Sequence, residues 1–111
     1  KKRKFKINSD LEIIDSGEIV LTENEMINLK IRNKRNEIVG KKWGFYLTPS
    51  INVRLKKNGF KCALIKNRQE KFFLCLVIDT KQAIRSFRSY LRKDKQKLIT
   101  FLSPKKLKIL K

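Results

Sequence analysis

Lys81, Arg85, Arg88 and Arg92 recur at intervals of four, three and four residues, the spacing that gathers side chains on one face of an α-helix. At about 100° per residue they fall within a sector of about 60°, while Ala83, Ile84, Phe87, Tyr90 and Leu91 group on another side. No acidic residue lies between Lys81 and Lys93, so the i,i+4 ion pairs that neutralise an ordinary charged helix face have no partners here. Three of the four are arginine, whose planar guanidinium can hold two oxygens of one phosphate. The chemistry this implies is recognition of a polyanion. A solvated face on a lysine-rich surface is the plainer alternative.

Other cations extend the pattern. Arg54 and Lys57 fall on the outward side of an expected first helix, and Arg68 sits at the tip of an expected hairpin between Lys66 and Lys71. Lys34-Arg35 belongs to a further turn, where basic residues also serve solubility alone. Short basic clusters at residues 1–4 and 105–111 read as flexible tails that add non-specific phosphate affinity. The expected nucleic-acid contacts are therefore Lys81, Arg85, Arg88, Arg92, Arg54, Lys57 and Arg68. Trp43, Phe45 and Tyr46 follow Lys41-Lys42, and aromatics among cations can stack bases. Strand alternation instead assigns Trp43 and Phe45 to the core, with Tyr46 on the opposite face.

The inventory for catalysis is thin. The chain has no histidine, which excludes His-based acid–base chemistry, Ser-His-Asp and Cys-His nucleophiles, and His-bearing metal sites. Two cysteines, Cys62 and Cys75, cannot complete a four-thiolate zinc site. Asp10, Asp15, Glu18, Glu23 and Glu25 cluster in the first third and could pair for acid–base or magnesium work, but they fall at turns and strand ends, as solvated acids do. There is no glycine loop to cradle a phosphate. The reading is a non-enzyme without cofactor or metal.

Composition supports a folded and strongly cationic body. Leu, Ile, Val and Phe make up one third of the 111 residues, well above the roughly 20% below which charged chains stay disordered. Against 29 Lys and Arg stand 10 Asp and Glu, a formal charge of +19. Such a body repels itself and attracts anions over about 8–10 Å at ordinary salt. Two cysteines and no disulfide framework fit a reducing cytoplasm, and no apolar run approaches the roughly 20 residues of a membrane span. The first residue is Lys rather than Met, which leaves room for an upstream segment.

These residues need elements to hold them. Phe5 and Ile7, Leu11 to Ile14, and Ile19 to Leu21 read as strands separated by turns at Asn8-Ser9-Asp10 and Asp15-Ser16-Gly17. Thr22 and Glu25 match a helix capping box, yet Ile27, Leu29 and Ile31 alternate with polar residues, which favours a strand. A turn at residues 33–36 and a strand from Trp43 to Leu47 follow. Thr48-Pro49 opens an expected helix over 49–58, stopped by Gly59. Strands 60–66 and 71–78 form a hairpin; a symmetric loop would set Cys62 opposite Cys75, as two small buried hydrophobes or as a redox-labile pair. Thr80 or Asp79 caps a helix over 80–93, and 97–102 is a last strand. The expected fold is a single α+β domain over 1–111, mainly antiparallel sheet of five to seven short strands with two helices on one face.

The run Trp43-Gly44-Phe45-Tyr46, Thr48-Pro49-Ser50-Ile51-Asn52, Arg54-Leu55, Gly59-Phe60-Lys61 and Ala63-Leu64 through Lys66-Asn67 resembles a family of small uncharacterised bacterial proteins associated with surface-polysaccharide gene clusters. The resemblance spans about half the chain and implies a bacterial origin without a transferable activity or site. Two expectations stand together. One is a nucleic-acid-binding accessory protein that grips phosphate backbones, alone or in a larger RNA- or DNA-containing assembly. The other is a non-enzymatic accessory factor of surface-polysaccharide synthesis that docks on an acidic protein, a glycan or an anionic membrane face.

Overall fold

The structure is a computed structural model and describes residues 3–8 and 11–110. Its centre is an antiparallel sheet of three strands, β6 (Phe60–Lys66), β7 (Phe72–Ile78) and β8 (Lys97–Phe101), with β6 in the middle. Because successive side chains of a strand point to opposite faces, Ala63 and Ile65 face one way and Phe60 and Cys62 the other. On the first face Ala63, Ile65 and Val77 form a core with Leu91, Ile84 and Phe87 of helix α2 (Lys81–Lys93). On the second, Phe60 and Cys62 pack with Leu55 of the short helix α1 (Arg54–Lys57) and with Ile51 and Leu102. The α+β class is as expected, but the two helices lie on opposite faces of this sheet, because apolar residues at both odd and even positions of β6 require cover.

The hairpin register differs from the symmetric one by a single residue. Phe60 pairs with Ile78, Cys62 with Leu76 and Ala63 with Cys75. The cause is the loop: Asn67 bonds to Lys71 and Glu70, and Glu70 takes a left-handed φ of 64°, so the turn holds an odd number of residues. Cys62 and Cys75 are thereby on opposite faces, each a free thiol in a different core cluster. Burial pushes both thiols up from their ordinary range.

The first helix is shorter than its sequence signals. The Thr48 hydroxyl donates to the Glu37 carboxylate at 2.6 Å rather than capping. The N-cap position falls to Val53, which has no capping side chain; Ser50, two residues after Thr48, supports the start instead, its carbonyl accepting from Leu55 N–H and its hydroxyl from Arg54 N–H. Gly59, at φ 88°, ends the helix as expected. Helix α2 matches its expected span. Thr80 accepts from Ala83 N–H at 3.1 Å, and the far end closes with Gln96 N–H on Leu91 C=O and Lys95 N–H on Arg92 C=O, a Schellman pair in which Lys95 occupies the left-handed position.

A second antiparallel sheet runs β3 (Met26–Ile31), β4 (Lys34–Lys41), β5 (Gly44–Leu47), with β4 central. β4 begins at Lys34, so the turn is Arg32-Asn33 and Lys34-Arg35 lies on a strand. The expected strand at Ile19 to Leu21 does not form; residues 16–25 cross the sheet as irregular chain. The capping-box residues Thr22 and Glu25 do bond, Thr22 N–H donating to the Glu25 carboxylate at 2.7 Å, but they close a turn instead of opening a helix. That bond holds the Glu25 carboxyl below its ordinary value, so the group supports the turn above the carboxylate range and ceases to as pH falls through its folded pKa. Leu21 then passes so close over Gly40 that an added Cβ would meet it at 2.8 Å.

β1 (Arg3–Asn8) and β2 (Leu11–Asp15) form a separate two-stranded ribbon, tied by the Arg3 guanidinium on Asp15 at 2.9 Å. The expected turn residues Ser9 and Asp10, and the tail residues Lys1, Lys2 and Lys111, lie outside the described residues. Most of the rest of the C-terminal stretch forms α3 (Pro104–Ile109), capped by the Ser103 hydroxyl and burying none of its residues. Three sheets sharing few buried residues leave much surface open: 9279 Å² of accessible area, against about 6,400 Å² for a compact monomer of this mass. The radius of gyration is 15.6 Å, where about 13 Å is usual for this length. At the sheet edge, Phe72, Phe73 and Leu74 of β7 are exposed.

Two measurements check this arrangement. Leu55→Ala and Leu91→Ala, one on each side of β6, are each expected to cost about 2–5 kcal/mol of unfolding free energy in urea titration. Mild oxidation of the folded chain is expected to leave no internal disulfide, so that mass spectrometry under non-reducing conditions finds both thiols alkylated after unfolding.

Candidate functional site

Helix α2 presents its cations as the periodicity demands. Lys81, Arg85, Arg88 and Arg92 are all exposed, while Leu91 on the adjoining side is buried. None of the four makes an ion pair or side-chain hydrogen bond among the described residues. Two of them differ in what the helix itself offers. Arg92 and the neighbouring Lys93 sit in the last turn, where the helix dipole favours positive charge. Lys81 sits in the first turn, which holds no acid and where a cation is opposed by about 0.3–1 kcal/mol. Helix stability alone therefore does not account for the whole ridge.

The other expected contacts are dispersed. Arg54 is half exposed but already partnered: its guanidinium bonds to the Glu37 carboxylate and to the Thr48 hydroxyl, 2.6 Å away in the latter case, and so clamps α1 to the β3–β4–β5 sheet. It leaves the candidate set as a structural cation. Lys57 is exposed at the end of α1, and Arg68 is exposed at the β6–β7 turn. Its neighbour Lys66 pairs with Glu70 at 3.3 Å.

The aromatic cluster departs furthest from expectation. Trp43 lies in the β4–β5 turn, between the paired residues Lys41 and Gly44, and not within the strand. It is 71% exposed and Phe45 70%. Trp43 stacks on Tyr46 with ring centres 5.9 Å apart and planes inclined by 22°. Alternation places Phe45 correctly on the face opposite Tyr46. It fails on burial because no layer covers that end of the sheet. The difference turns on Gly44, which takes φ 142° and starts β5 one residue after the tryptophan.

The acidic residues are held locally. Asp15 accepts from Gly17 N–H and from Arg3, which together lower its carboxyl below the usual range. Glu25 bonds to Thr22, and Glu23 lies 3.9 Å from Lys42. Among the described residues no three His, Cys, Asp or Glu side chains group in a way that could hold a metal ion, and no helix is long and apolar enough to cross a membrane. Two of the open apolar hollows adjoin the β4–β5 turn and α2 respectively. One of about 430 Å³ is lined by Ile19, Leu21, Ile27, Ile38 and Phe45 with Lys41 and Lys42 beside them. The other, of about 390 Å³, lies among Ile31, Val77, Ala83, Phe87 and Tyr90.

Set against protein-family models, curated proteins and solved structures, the chain has no match in any of the three.

Because the ridge is unpartnered and Arg54 is not, their substitutions should separate. Reversing Arg85 and Arg88 to Glu is expected to leave the thermal midpoint within about 2 °C, since surface changes of this kind stay near ±0.5 kcal/mol. Arg54→Ala should cost about 1 kcal/mol, as the half-exposed pair is screened and leaves Glu37 short of a donor. Circular dichroism melts measure both.

Proposed function

We propose that the chain is a nucleic-acid-binding accessory protein that grips phosphate backbones through the α2 ridge, alone or within a larger RNA- or DNA-containing assembly in the cytoplasm. The observation that carries this reading is four exposed cations on three turns of one helix with no acidic partner among the described residues. Phosphates spaced along a backbone match a row of donors better than a single anion does, and arginine supplies the bidentate geometry. The charge of +19 adds long-range attraction that is indifferent to base sequence. Lys57 and Arg68, which lie apart from the ridge, enter this reading only as secondary contacts.

A second reading, an interaction protein that docks on an acidic partner, is favoured by one observation. The apolar hollow around Ile19, Leu21, Ile27, Ile38 and Phe45, with Lys41 and Lys42 beside it, suits an acidic protein with apolar side chains more than a sugar–phosphate chain. An accessory role in surface-polysaccharide synthesis falls within this reading.

Salt dependence decides between them. Backbone binding is expected to weaken with a log–log slope of about −0.9 per neutralised phosphate on duplex DNA and about −0.7 on a single strand, so the four ridge residues imply a slope of about −3 or steeper. The Arg85→Glu, Arg88→Glu double variant should abolish binding in fluorescence anisotropy while keeping its melt. An affinity for oligonucleotide that is flat with salt, or that survives the double variant, sinks the reading.

A further inference from the structure

The aromatic tip of the β4–β5 hairpin is not used by the α2 ridge, and its exposure has no account in the fold. A tryptophan gains from burying an area of about 150–250 Å², yet Trp43 stays 71% exposed at a turn. Its one ring neighbour among the described residues is Tyr46, which covers part of it at a centroid distance of 5.9 Å. The two-residue connection between Lys41 and Gly44 holds it outward, and Gly44 at φ 142° has no atom within 4 Å of where a Cβ would lie.

The strand register shows what shares that face of the sheet. Tyr46 pairs with Val39, so Lys41, Val39, Glu37 and Arg35 of β4 point to the same side as Tyr46, and Lys30 of β3 stands directly opposite Arg35. Like charges in that position destabilise a sheet, and neither Lys30 nor Arg35 has an acidic partner among the described residues. Glu37, the acid between them and the aromatics, is already bound by Arg54 and Thr48. The face thus carries a stacked aromatic pair at one end and two unneutralised cations about 13 Å away, four residues along β4.

We propose that this face is a single-strand platform: Trp43, backed by Tyr46, stacks on an unpaired base, and Lys30 and Arg35 take phosphates further along the same strand. The proposal rests on the nucleic-acid reading above and adds strandedness to it. A duplex offers phosphates but hides its base faces. An acidic protein offers charge without regularly spaced flat faces. A single strand offers both, and base–aromatic stacking tolerates any sequence.

Trp43 is the only tryptophan of the chain, so intrinsic emission reports this position alone. The full chain is titrated with oligo-dT and oligo-rU of about 15 nucleotides, with a blunt duplex of equal length, and with an acidic glycan of matched charge. Both single strands are expected to quench Trp43 and the duplex to leave it nearly unchanged. Trp43→Ala should weaken single-strand binding roughly fivefold to a hundredfold by anisotropy and leave duplex binding as it was, with Trp43→Phe retaining most of the affinity and both variants melting like the parent. Single-strand binding with unaltered emission and no loss in Trp43→Ala overturns the platform while the phosphate-binding reading survives. Quenching by the glycan alone overturns it in favour of a saccharide partner, and failure of every nucleic acid to bind removes both readings together.

Discussion

Strand β6 has to be covered twice. Its odd positions carry Ala63 and Ile65 and its even positions Phe60 and Cys62, so neither face tolerates water, and each helix is placed by the face it must close. Helix α2 answers the odd side with Ile84, Phe87 and Leu91, and the short α1 answers the even side with Leu55. The orientation of the cationic ridge is a by-product of this demand. Once Leu91 points at Ile65 and Val77, helical geometry turns Arg88 about 60° and Arg85 and Arg92 about 100–120° away from that direction.

The scarce acids follow a comparable economy. Four of them each close a particular joint: Asp15 the first ribbon, Glu25 the turn before β3, Glu37 the contact between α1 and the second sheet, Glu70 the β6–β7 turn. None of the four lies on α2. The excess charge is therefore not smeared evenly over the surface. The helix ridge and the Lys30–Arg35 pair are two places where exposed cations gather on one face without an acid among the described residues.

Elements set by short-range physics were legible. The β6–β7 hairpin, α2 with its Thr80 cap, and β3 all follow from periodicity and capping chemistry that act within a few residues. What could not be read was settled by distant partners. Thr48 resembles a helix cap until Glu37, eleven residues earlier, takes its hydroxyl. Arg54 resembles a free cation until the same Glu37 takes its guanidinium. Thr22 and Glu25 carried a true capping interaction, but the period-two alternation of Ile27, Leu29 and Ile31 that follows commits the chain to β3. The cysteine register failed over one left-handed residue, Glu70, whose conformation no residue-type preference announces. Of the candidate site, the ridge was visible because a helix face is written in its own spacing, whereas the exposure of Trp43 depended on there being no layer above it.

The open margin of β7 has a bearing on behaviour in solution. Phe72, Phe73 and Leu74 lie exposed on an edge strand, and bare edges of this sort invite pairing between copies. Mutual repulsion between bodies of charge +19 keeps such edges apart. A counter-charged companion that cancels the repulsion also lifts that barrier, so the molecule is most prone to coalesce at the mixing ratio where total charge vanishes, and dissolves again on either side of it.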